Sequence, residues 1–279
     1  MASNAAVDHD RHVDEKQWHL SSKGDFFLLL REVLGELYGS EDICLLLYTL
    51  AKREKVEVAV ELGTGMGVTS AWIAAAMREN GLGKIFTYDN GSHYHEHTHV
   101  KEVLATLDGP LRGLASLSQS ADYASFLQGL FDQADVAQYI AFHQTEIGRP
   151  PVLEDLHGKS IDLLFSDFDH SPMMVQKIIG AFLPYMSPTS SIFVDSASTH
   201  LPSFYALNNM VSLLQDMRLP KSIAELLSHD EMLTALNLIA RSRFTLTHLV
   251  EKRDRDQNST AWIRIEPVDT LPPTSSFFH

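Results

Sequence analysis

The stretch Val56–Ser70, VEVAVELGTGMGVTS, constrains what this chain can fold into more than any other. A short β-branched run, Val56–Leu62, leads into Gly63-Thr64-Gly65-Met66-Gly67, and the alanine-rich segment Val68–Arg78 follows at once. The first reads as a buried parallel strand and the last as a helix. Glycines let the backbone turn with positive φ and let a ligand approach it closely. The start of the helix offers free N–H groups and the positive end of a dipole to an anion. Such a turn, at the carboxyl end of a parallel strand, is a nucleotide-binding arrangement.

The rest of the chain continues the pattern. Lys84–Tyr88, Tyr139–Phe142, Ile161–Phe165 and Ser191–Val194 read as further strands, each preceded by a helix-like segment. Alternating strands and helices imply right-handed crossovers and a mainly parallel sheet. Phe244–Glu251 and Thr260–Glu266 flank a polar link and read as an antiparallel hairpin. Residues 201–242 have room for two or three helices. Ahead of the first strand, Phe26, Leu29, Leu30, Val33 and Leu37, then Ile43, Leu46, Leu47 and Leu50, recur at helical spacing. Gly39 and Ser40 divide that run into two helices, with Ser40 as an N-cap. The organisation expected is an N-terminal helical extension (1–55), one α/β domain (56–266) and an irregular tail (267–279).

Composition narrows the partners. A formal net charge of −14 repels phosphate backbones and anionic lipid, so neither nucleic acid nor a membrane is expected. No apolar run approaches the roughly 18 residues of a membrane span. The N-terminus shows no basic stretch followed by an apolar one, so no secretory leader is read. The single cysteine, Cys44, lies in the apolar run ICLLLYTL, and a reducing cytoplasmic setting is the default expectation. A small-molecule substrate fits best, and a homodimer is left open.

Two acidic positions sharpen the nucleotide reading. Glu61 precedes the first glycine, and Asp89 ends the next strand, where a carboxylate can accept both hydroxyls of a ribose. The strand–ELGTGMG–helix–strand–Asp arrangement resembles the class I S-adenosylmethionine (SAM)-dependent methyltransferases. Within them it is most similar to the catechol, caffeoyl-CoA and sugar O-methyltransferases. The resemblance implies a Rossmann-like α/β fold with a seven-stranded, mainly parallel sheet in the order 3-2-1-4-5-7-6, the last strand antiparallel. It also implies that Glu61, Gly63, Gly65 and Gly67 form the SAM pocket, with Thr69 near the SAM carboxylate and Asp89 on the ribose. Gln144 and Thr145 are expected near the adenine.

The chemistry is expected where the fourth and fifth strands end, at Asp167 in IDLLFSDFDH and Asp195 in SIFVDSAST. In the implied order these strands are neighbours about 4.8 Å apart. The two carboxylates are in reach of one divalent cation such as Mg2+, which would acidify a substrate hydroxyl. Asp167 is also a candidate for the SAM amino group. His170 stands where the resembling families place a Lys or His base, and imidazole suits removal of a hydroxyl proton near neutral pH. The pattern departs from both relatives beside Asp195. Ser196 stands where catechol-type enzymes have Asn, and Val194 where the sugar enzymes have an acid. The function expected is methyl transfer to a hydroxyl of a small molecule. The alternative keeps SAM but consumes it by internal cyclisation or aminocarboxypropyl transfer, releasing methylthioadenosine.

Other features read as structural. His93, His95, His97 and His99 alternate, and on a helix they would form two i,i+4 pairs, read here as a solvated polar face rather than a zinc site. Trp18, Phe26, Phe27 and Tyr38 belong to the N-terminal helical part, while Phe204, Tyr205, Asn208 and Asn209 are candidates for substrate contact.

Overall fold

The seven strands form one sheet in a computed structural model of the chain. The structure describes residues 24–35, 41–92, 94, 99–147, 156, 158–250 and 258–268. The strands are β1 (Val58–Leu62), β2 (Lys84–Asp89), β3 (Ile140–Gln144), β4 (Ile161–Ser166), β5 (Met186–Asp195), β6 (Ser242–Val250) and β7 (Ser259–Pro267). Their order is β3-β2-β1-β4-β5-β7-β6, parallel from β3 to β5, with β7 antiparallel to both β5 and β6. This is the order that the resemblance implies.

All five residues of β1 are buried, as befits a parallel strand covered on both faces. Side chains alternate between those faces. Ala59 joins Ile85, Leu163, Phe165 and Phe193 in one core, and Val58, Val60 and Leu62 join Leu164, Ile192 and Val194 in the other. On the first face lie α1 (Gly24–Leu30), α2 (Glu41–Glu54), α3 (Val68–Asn80) and α5 (Tyr123–Gln133), around Trp72, Phe27 and Phe126. α4 (His99–Ala105) and a 3-10 run, Gly109–Gln119, precede α5. The second face carries α6 (Pro172–Phe182), α7 (Leu201–Gln215), α8 (Lys221–Ala224) and α9 (His229–Arg241).

Several boundaries differ from the sequence expectations. α1 continues into a π-helical turn, Arg31–Gly35, before α2. β1 starts at Val58 rather than Val56, and Gln144 ends β3 rather than following it. β5 begins five residues before Ser191, at Met186. Its first half pairs irregularly with β4, shifting register between Ile161 and Leu163, and Pro188 lies within it. That half offers no apolar alternation for a pattern to catch. Residues 201–242 hold three helices. Ser40, Trp18, Tyr38, His93, His95 and His97 lie outside the described residues, as does most of the tail; His99 opens α4. No described helix is long and apolar enough to cross a membrane.

Candidate active site

The register of the sheet places the acidic strand ends. Tyr88, Leu62, Ser166 and Val194 lie level on β2, β1, β4 and β5. One residue further, the ladder still holds: Gly63 N–H donates to the Tyr88 carbonyl at 2.9 Å, and Asp167 N–H to the Leu62 carbonyl at 2.8 Å. Asp89, Gly63, Asp167 and Asp195 therefore form one row, and their parity points that row to the α3 side of the sheet. Three carboxylates share the row, with a glycine between the first two. Glu61 has the same parity one step lower on β1.

The turn between β1 and α3 is built from left-handed glycines, with φ of +92°, +53° and +76° at Gly63, Gly65 and Gly67. At Gly63 a Cβ would overlap the carbonyl oxygen of Asp167, and at Gly67 it would press on Leu127 and Phe131. At Gly65 it would meet no protein atom within 4 Å, because that residue faces open space. Asp89 ties the turn to β2. Its carboxylate accepts from Gly65 N–H at 3.0 Å and Gly91 N–H at 2.6 Å. From α5, the Tyr123 hydroxyl donates to the Gly65 carbonyl at 2.5 Å. Sequence reasoning misses Tyr123, since nothing local links two positions so far apart.

Glu61 lies beneath this turn and off the cleft. One of its oxygens accepts from the Ser70 and Thr87 hydroxyls, and Thr87 in turn pairs with Thr64 at 2.5 Å. The other oxygen, Oε1, is buried with no hydrogen-bond partner among the described residues. Burial pushes its carboxyl up to about 8; the Ser70 and Thr87 hydroxyls oppose the shift and the charge of Asp89 adds to it.

A cleft of about 360 Å³ opens above the row. One wall is Gly63–Met66, Val68 and Thr69, with Leu34 from the π-helical turn. Asp89, Asn90 and Ser92 follow β2, and Glu146 and Ile147 follow β3. Asp167, Phe168 and His170 close the far side. Gln144 and Thr145 stand behind this lining. The Gln144 side-chain amide donates to the Asn90 carbonyl at 3.2 Å, and Thr145 N–H to the Asp89 carbonyl at 2.8 Å. They brace the loop after β2, and the cleft itself is reached two residues later.

Asp167 is embedded in protein, with one side open to the cleft. Burial raises its carboxyl well above the ordinary range, and the charges of Asp195, Glu61 and Asp89 add to the shift. Asp195 is raised by burial as well, opposed by the Ser196 and Thr260 hydroxyls and by positive charge on His170. Those hydroxyls sit at 2.8 and 3.1 Å from its two oxygens. Asp195 flanks the cleft rather than lining it. Among the described residues no group of three or more His, Cys, Asp or Glu side chains is placed to hold a metal ion. Asp167 and Asp195 are thus two carboxylates without a third such side chain grouped with them among the described residues.

His170 directly precedes the Ser171 N-cap of α6, whose hydroxyl accepts from Met174 N–H at 3.4 Å. Its carbonyl accepts a hydrogen bond from the buried Ser203 hydroxyl on α7. The imidazole ring lies edge-to-face with that of His200, centroids 6.1 Å apart.

Comparison with known proteins gives one family match and several similar structures. Residues 60–197 match a family described as a methyltransferase domain. No curated protein matches the chain. Among solved structures it is similar to the O-methyltransferase TomG of Streptomyces achromogenes, involved in tomaymycin synthesis and solved with SAM: 18% identity, 81% of each chain covered, TM-score 0.47. It is also similar to an O-methyltransferase from Bacillus cereus solved with SAH, at 14% identity, with 92% of this chain and 96% of that one covered and a TM-score of 0.46. A methyltransferase from Geobacter sulfurreducens gives 12% identity, 88% and 93% coverage and a TM-score of 0.48.

Proposed function

We propose that this chain, whose residues 60–197 match a methyltransferase domain, is a class I SAM-dependent methyltransferase that moves the methyl group to a hydroxyl of a small molecule. The observation that carries the reading is the shared cleft. The glycine turn and Asp89 form one end of it, and Asp167 and His170 form the other. A cofactor held at the first end and a hydroxyl held at the second would meet over the row of carboxylates.

The residues fit the cofactor on chemical grounds. Among the described residues Asp89 receives only backbone N–H donors and keeps lone pairs for the two hydroxyls of a ribose. Gly65 leaves open space where a side chain would stand. Asp167, crowded by other carboxylates, is stabilised in its ionised form by a cation beside it. The amino group and the sulfonium of SAM are such cations. When bound, SAM supplies an electrophilic methyl carbon on a positively charged sulfur.

The chain's own residues then have distinct tasks. Asp89 and the glycine turn hold the nucleoside end, with Thr69 close to the carboxylate end. Asp167 takes the amino group. His170 removes the acceptor's hydroxyl proton onto a ring nitrogen, so that the oxygen's electron pair is free to attack. Asp195 lies near enough to His170 for their charges to interact. The rest of the rate comes from alignment, which this rigid edge of the sheet provides.

The deciding experiment is product analysis by mass spectrometry. The protein is incubated with SAM alone, then with pooled hydroxylated metabolites, with and without EDTA. S-adenosylhomocysteine is expected only when an acceptor is present, and its loss in EDTA would establish that Asp167 and Asp195 act with a divalent cation. Methylthioadenosine formed from SAM alone, above a no-enzyme control, would overturn the reading.

A further inference from the structure

The α6 and α7 helices start in parallel ways. Each follows a strand that ends beside or on an aspartate, and a histidine stands just ahead of each: Asp167 and His170 before α6, Asp195 and His200 before α7. One side chain joins the two helix starts. Ser203 is fully buried, and its hydroxyl donates to the His170 carbonyl. The same oxygen lies 3.0 Å from Nδ1 of His200, and Ser203 N–H donates to the His200 carbonyl at 3.0 Å.

Hydrogen counting fixes the state of His200. A hydroxyl has one proton to give, and that of Ser203 goes to His170. The contact with His200 must then run the other way, with Nδ1–H donating to the Ser203 oxygen. In a neutral ring this leaves Nε2 as the unprotonated nitrogen. His200 is exposed and occupies the N-cap of α7 without making a capping bond to the helix backbone. Ser, Thr, Asp or Asn would serve better as a cap. Its imidazole instead stands against that of His170, which lines the cleft.

We infer that Ser203 is a positioning residue that holds His200 in its Nδ1–H tautomer beside His170, making His200 a second proton acceptor at the mouth of the site. This rests on the proposed role of His170. The proton that leaves the acceptor hydroxyl bonds first to a ring nitrogen of His170. It then passes to the lone pair on Nε2 of His200 and out to solvent water. His170 returns to its neutral form, and no other reactant is consumed.

The tautomer is read directly by two-bond 1H–15N NMR on the full chain, at a pH where the ring is neutral. The His200 signal among 14 histidines is identified by its loss in His200→Asn. The expected pattern is Nδ1–H in the wild type, giving way to Nε2–H in Ser203→Ala. An Nε2–H pattern in the wild type overturns the inference. This measurement needs no turnover, so it stands even if no methyl transfer is found and the proposed reaction fails.

Kinetics supply the second arm, with SAM and whichever member of a panel of catechols and sugars reacts. Asn is a good N-cap, so His200→Asn preserves the helix start. It should lower kcat about tenfold, below the roughly 10²–10⁴-fold of a direct acid–base group, with KM for SAM unchanged. Ser203→Ala should do the same. A kcat equal to wild type in both variants overturns the proton role.

Discussion

The two ends of the cleft are built from different materials. The β1–β2 end is mostly backbone: three left-handed glycines, and N–H groups that fix Asp89 from two directions. The β4–β5 end is mostly side chain: Asp167, Asp195, His170 and the buried hydroxyl that ties α7 to α6. A site made of backbone tolerates almost no change of residue at its glycines, because the constraint is steric. A site made of side chains tolerates conservative exchange and loses chemistry before it loses shape.

Gly63→Ala tests the first half of that contrast and should have the largest effect. Its φ of +92° and the overlap of a Cβ with the Asp167 carbonyl both oppose any side chain. A cost of roughly 3 kcal/mol or more is expected in denaturant unfolding, together with loss of SAM binding. Gly81→Ala, also left-handed at +68° but with no atom within 4 Å of a Cβ, should cost only about 1 kcal/mol. Equal costs at the two positions would break the steric argument.

His170→Ala tests the second half. It should slow turnover by roughly 10²–10⁴-fold while the Kd for SAM, measured by calorimetry, changes less than about twofold. A fully active variant would remove the base. Asp89→Ala should show the converse split. Losing hydrogen bonds to a charged group costs about 1.5–3 kcal/mol, so SAM binding should weaken by roughly 10- to 100-fold. Unchanged affinity would remove Asp89 from the ribose.

The same contrast sets what is legible in the sequence. Glycines, β-branched runs and strand-end acids are local signals; they set Asp89, Asp167 and Asp195 at strand ends and carry the resemblance that implies the strand order. Contacts across the chain leave no local trace. Tyr123 on the Gly65 carbonyl and Ser203 on the His170 carbonyl need the folded sheet to appear. Glu61 shows a third case. Its position in the sequence suggests the cofactor pocket, but strand alternation sets it on the face of Ala59, one step below the row. There it meets Ser70 and Thr87 instead of the cleft. The apolar pattern of β3 stops at Phe142, and the resemblance implies Gln144 and Thr145, just after it, near the adenine. The strand runs on to Gln144, and the cleft is lined by Glu146 and Ile147.

Glu61 gives an effect spread over pH instead of a single step, and its sign is set by linkage. Its folded carboxyl stands at about 8 against an ordinary 4.5, so the folded chain holds a proton there that the unfolded chain has lost between those values. Stability then falls as pH rises through that window, by at most about 1.4 kcal/mol per pH unit, and levels off above it. Glu61→Gln keeps the shape and cannot titrate. Asp167 and Asp195 carry raised carboxyls in both proteins, so to first order their share cancels from the difference. Thermal melts at pH 5.5, 6.5 and 7.5 should therefore show the variant gaining on the wild type, by about 1 kcal/mol per unit or roughly 2–4 °C. A difference that stays constant across those three points would mean that Glu61 is ionised beneath the turn. Its unpartnered Oε1 would then need a donor that the described residues do not supply.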